Sequence, residues 1–160
     1  MHPELQLILA LILVERAAFA LERNAHKPGV SLFLEVERLR SGALLSWPRA
    51  EMSKIDQHDR NRITEDGAEA VALAIVHRYR AWRIIRRLQR GEHADWLLEE
   101  LREGVRQEVA LEVSGVDMGG ISARLSEKLA QVSRTVDVDQ KWACVVGFEE
   151  PTATLQREGI

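Results

Sequence analysis

With only one cysteine, Cys144, the chain has no internal disulfide. So little cysteine fits a reducing compartment, and the apolar run WACVVGF around Cys144 marks it as buried and inert. Positive charge is not in excess either. A formal net charge of −3 excludes a generally basic nucleic-acid coat, so any such contact has to be a local patch. The apolar run Leu7 to Val14 is too short to span a bilayer and stops at Glu15 and Arg16. The start, Met1-His2-Pro3-Glu4, lacks the basic region of a secretory signal. There is no internal repeat and no low-complexity segment. These absences lead to the expectation of a soluble, cytoplasmic protein without membrane contact.

What is present suits one domain over residues 1–160. Hydrophobic content of 46% and charged content of 29% are ordinary for a chain long enough to bury a core. Residues 4 to 24, rich in Leu and Ala and ending near Asn24 and Pro28-Gly29, predict a helix. From Leu5 to Val14 it is apolar nearly all round, so it is either packed beneath the domain or buried against a homodimer or another protein partner. Residues 30 to 47 stay ambiguous. Leu32, Leu34 and Val36 alternate as in a strand, whereas Leu32, Val36 and Leu39 fit a helix. Residues 48 to 62 read as a polar connector, on which His58 between Asp56 and Asp59 is solvated.

From there the pattern sharpens. Asp66 with Glu69 has capping-box spacing and predicts a helix start. Ala68, Val71, Ala72, Ile75 and Tyr79 then form its apolar stripe. Strands are expected at 82–88, 94–99 and 108–114, with turns at Gly91 and Gly104. Strand alternation puts Asp95, Leu97 and Glu99 on one face, and Glu112 and Ser114 together on another. A second helix is expected with Ser122 as N-cap, an apolar stripe of Ile121, Leu125, Leu129 and Val132, and Arg124, Lys128 and Gln131 along one flank. Residues 141–148 read as a strand buried on both faces, and the last ten residues as a loose tail. The order helix, three strands, helix, strand describes an α/β sandwich with a mixed sheet.

Four short matches in that order carry a resemblance: Gly67-Ala68-Glu69; Trp82-Arg83-Ile84-Ile85; Gly91-Glu92 with Asp95; and Leu111-Glu112-Val113-Ser114. Together they resemble the PD-(D/E)XK nuclease superfamily, and within it the small resolvase-like branch. The resemblance covers about half the chain. It implies a restriction-endonuclease-like α-β-β-β-α-β core over residues 64–150 with a mixed central sheet. Residues 1–60 precede that core as an N-terminal helical region and connector.

The resemblance implies a divalent-metal-dependent nuclease, a hydrolase acting on DNA or RNA. Its chemistry needs Mg²⁺ or Mn²⁺ held by oxygen ligands. By the match those ligands are Asp95 and Glu112, with Glu69 as a third oxygen or only as a helix cap. The family's lysine is Ser114 here. Either Lys128 projects from the following helix into the site, or catalysis is lost and the fold serves binding or assembly. An α/β interaction domain with an accidental match is the third alternative. Separately, residues 77 to 90 hold Arg78, Arg80, Arg83, Arg86, Arg87 and Arg90 and no acid. That cluster suits phosphate; the alternative is a solvated helix end and strand face.

Overall fold

The computed structural model describes residues 1–159. Helix α1 (Leu7–Arg23) ends at Asn24, and Ala25 beyond it takes a left-handed φ of 62°. Strands β1 (Val30–Val36) and β2 (Leu39–Leu45) form a hairpin closed by Glu37 and Arg38, both with positive φ. This two-residue turn matches the twist of the strands it joins. Strand alternation therefore wins in the ambiguous segment, and Leu32 and Leu34 are buried.

Helix α2 (Arg60–Arg80) starts earlier than its sequence signal suggests. Asp59 is the N-cap, its Oδ1 accepting the Arg62 N–H at 2.9 Å. The expected start at Asp66 with Glu69 is thus corrected, because both residues lie inside the helix and pair elsewhere: Asp66 with Arg16 at 2.9 Å, Glu69 with Arg87. Ala68, Val71, Ala72 and Ile75 are buried as the stripe requires, but Tyr79 is 44% exposed and leaves it. The connector before α2 carries a 3-10 turn at Met52–Gln57, and His58 lies half-buried with its ring 5.3 Å from Phe19.

Strands β3 (Arg83–Arg87), β4 (Trp96–Arg102) and β5 (Val105–Val116) form an antiparallel meander. Asp95 stands just ahead of β4 but already joins the ladder, its N–H donating to Leu111 O at 3.0 Å. Helix α3 (Ser122–Val132) begins with Ser122 as its first helical residue. The N-cap position falls on Ile121, without a side-chain cap. Strand β6 (Gln140–Gly147) pairs parallel to β5, and β7 (Thr152–Arg157) antiparallel to β6. The tail expected at the C-terminus is therefore an internal strand, joined on its other side to β1 in parallel. The result is one seven-stranded mixed sheet, ordered β2-β1-β7-β6-β5-β4-β3.

Helices α1 and α2 share the larger core with Val109, Leu111 and Val113 of β5, with Trp96 and Leu98 of β4, and with Trp142 and Cys144 of β6. On the opposite face a smaller cluster joins Ala110, Ala94 and Val132 of α3. Burial pushes the Cys144 thiol up to about 12, which keeps it a protonated, unreactive core residue. In α1 the core alternative holds for one face only. Leu13, Phe19 and Leu21 are buried, whereas Leu7, Ile8, Leu11 and Ile12 are exposed by 40% or more. Among the described residues no helix is long and apolar enough to cross a membrane.

Candidate active site

The β4–β5 register pairs Trp96 with Leu111, and continuing it by one residue sets Asp95 opposite Glu112. Directly opposed strand residues bring their side chains together. Asp95 Oδ2 accepts the Val113 N–H at 2.7 Å, which fixes the carboxyl over β5. The Asp95 and Glu112 carboxyls are close enough for each to perturb the other's ionisation. Glu112 is only 2% exposed.

Lys128 comes from α3, whose position over β5 and β6 sets its side chain on this pair. Its Nζ donates to Glu112 Oε1 at 2.6 Å and to Gln131 Oε1 at 3.1 Å. The other Glu112 oxygen, Oε2, is buried and accepts no hydrogen bond. Burial first, then the adjacent Asp95, push Glu112 up to about 7, against the pull of Lys128. Burial also raises Asp95, opposed by the Val113 N–H, Lys128 and Arg87. Two carboxyls so close resist ionising together, and one of them holds a proton near neutral pH.

Glu69 sits beside this pair but is already engaged. Its Oε1 accepts from Arg87 Nη2 at 2.5 Å and its Oε2 from Trp96 Nε1 at 3.2 Å. Burial pushes it up to about 7 even so, with Asp95 and Asp66 adding to the rise and Arg87 opposing it. Ser114 is fully buried and donates through Oγ to Glu65 Oε1 at 3.2 Å. The Gly115 N–H donates to the other Glu65 oxygen at 3.0 Å. No sequence motif singles out Glu65. Its one signal is the four-residue step to Glu69, which puts both on one side of α2. The close approach of α2 to β5 depends on Gly115, where a Cβ would lie 2.3 Å from Thr64 O.

The structure thus gathers Asp95, Glu112 and Lys128, sets Glu69 with Arg87 beside them, and turns Ser114 toward Glu65. Among the described residues, no three acidic, histidine or cysteine side chains form a group able to hold a metal. The donor set on hand is a pair: two adjacent carboxyls, one with an oxygen left unpartnered. A hard divalent cation accepts such a pair when water fills its other positions. The arginine run is divided. Arg80 pairs with Glu37 and Glu100, Arg83 with Glu4 and Glu99, Arg86 with Glu92, and Arg87 with Glu69. Arg78 and Arg90 are exposed and have no carboxylate partner among the described residues. Compared with models of protein families, with curated proteins and with solved structures, the chain has no match.

Proposed function

We propose that this chain is a nuclease-like protein of restriction-endonuclease-like fold that binds nucleic acid and hydrolyses phosphodiesters with Mg²⁺ or Mn²⁺. The observation that carries this reading is the 2.6 Å contact from Lys128 Nζ to Glu112. It supplies from α3 the ammonium that Ser114 does not supply from β5. Asp95 and Glu112, through its unpartnered Oε2, are the residues to hold the cation. The bound ion contributes Lewis acidity and a more acidic attacking water.

The protein's own groups do the rest. Lys128 fixes the Glu112 rotamer and places a positive charge where a phosphate oxygen would otherwise meet only carboxylates. Arg87, half exposed and stacked 5.4 Å from the Trp96 ring, offers a second cation at the same edge. Glu69 holds Arg87 in that position.

A cleavage assay tests this on plasmid, branched DNA and RNA with Mn²⁺, using Glu112→Gln and Lys128→Met as controls. Cleavage that falls at least about a hundredfold in both variants, with binding retained, supports the reading. Cleavage unchanged in either variant refutes the assignment. A second reading, a nuclease fold that binds without cutting, is favoured by the burial of Glu112 and by the pairing of most of the arginine run. Binding that is salt-dependent but never followed by cleavage selects it.

A further inference from the structure

Strand β2 ends the sheet, and among the described residues no strand pairs with its outer edge. The backbone N–H groups of Phe33 and Glu37 bond toward β7, so the even residues of β1 pair with Ala43, Ser41 and Leu39 of β2. The alternate residues Arg40, Gly42 and Leu44 therefore direct their backbone groups to the open edge. This edge lacks the usual protection. It has no proline and no lysine, its one charge (Arg40) is paired to Glu35 at 3.0 Å, and Leu39 and Leu44 are more than 70% exposed.

Beside the edge runs a cleft of about 570 Å³ between β2 and α2. Its walls are Ala43 and Leu45 on the strand and Val71, Ala74 and Ile75 on the helix. Arg78 stands at its α2 side, exposed; among the described residues it has no carboxylate partner and no acidic residue lines the cleft.

We infer that this cleft binds an extended peptide segment of another protein, which adds as a strand to the β2 edge and presents a carboxylate to Arg78. A strand added there hydrogen-bonds to Gly42 and Leu44, and every second side chain drops toward the apolar walls. Apolar residues at those alternate positions fill the cleft. Charge decides between a partner and a second copy. Strand β2 contains no acid, so β2 of a second copy brings Arg78 no carboxylate and adds a second Arg40.

The test is selection from a display library of random eight-residue segments on the immobilised full chain, followed by anisotropy on the enriched peptides. The expected result is enrichment of alternating apolar residues with one Asp or Glu. Replacing that acid with Lys, or Arg78→Glu in the protein, weakens binding about tenfold, the loss of one charge-assisted hydrogen bond. Combining both changes restores it. Gly42→Pro, at a position with open space for a side chain, removes the outward N–H and abolishes binding. If that variant does not fold, N-methylation of the peptide's inward amides makes the same test. No enrichment over the Arg78→Glu protein, or enriched peptides without an acid, overturns the inference. So does a concentration-dependent dimer that Gly42→Pro dissociates, which would assign the edge to a second copy.

Discussion

Replacing Lys128 with Met tests the site's electrostatics without requiring a substrate. The side chains of Glu112 and Lys128 are 3% and 16% exposed, so their contact is a buried ion pair. Breaking such a pair usually costs about 3–5 kcal/mol if the remaining charge stays buried and ionised. Glu112 has an escape, because burial and Asp95 already push it up to about 7. At pH 5.5 it is protonated in the folded state, and losing Lys128 costs little more than a hydrogen bond, about 1 kcal/mol. At pH 8.5 the variant must either bury a lone carboxylate or protonate it about 1.5 pH units above its former midpoint. That adds about 2 kcal/mol.

The sign follows from linkage. A carboxyl whose folded pKa is raised lends stability fully below its unfolded pKa and loses it as pH rises through the folded value. Wild type therefore loses the Glu112 contribution between about pH 4.5 and 7, and Lys128→Met goes on losing stability above 7. Urea titrations at pH 5.5 and 8.5, followed by tryptophan fluorescence, read both quantities. The double variant Lys128→Met with Glu112→Gln should remove the excess loss at high pH. Equal destabilisation at the two pH values would refute the buried-pair reasoning.

Mn²⁺ at ten times its dissociation constant should stabilise wild type by about 1.4 kcal/mol, a rise of a few degrees in melting temperature. Asp95→Asn should abolish that response and raise the stability of the metal-free protein; identical scans for both proteins would remove the metal site. Gly115→Ala should cost about 1–3 kcal/mol by overpacking, since its Cβ meets backbone of α2 rather than a movable side chain. A melting temperature unchanged from wild type would show that α2 does not press on β5. Leu7→Glu and Leu11→Glu should leave the melting temperature nearly unchanged, because both residues are mostly exposed, whereas Leu13→Ala should cost about 3 kcal/mol. Equal effects at Leu11 and Leu13 would mean that both sides of α1 are covered.

The fold was most legible where periodicity and burial coincide. In β5, Val109, Leu111 and Val113 alternate toward the larger core, and the two-residue period alone sets Glu112 and Ser114 on the other side. Legibility failed where burial depends on distant pairing. Strand β7 (TATLQR) buries only Ala153 and Leu155, a pattern too sparse to separate from a polar tail, and it is held in place by β1 and β6. The start of α2 failed for a local reason. The sequence signal was the cap at Asp66, but the N-cap is Asp59, which extends the helix by nearly two turns, enough to bury Ile63 and Thr64.

The site divides along the same line. Asp95 and Glu112 were readable because strand register is a local property once two neighbouring strands are placed. Lys128 was readable only as one of two alternatives, because its reach depends on where the crossover helix lies above β5 and β6. An ammonium acts from a point in space, and a flexible four-carbon stem lets either a strand or a helix deliver it there. Position 114 shows the consequence. Its side chain points to Glu65, and a lysine in the same rotamer would meet that carboxylate before reaching Glu112. With Glu65 in place, Ser114→Lys would therefore add an ion pair between α2 and β5 and leave the Lys128–Glu112 contact intact.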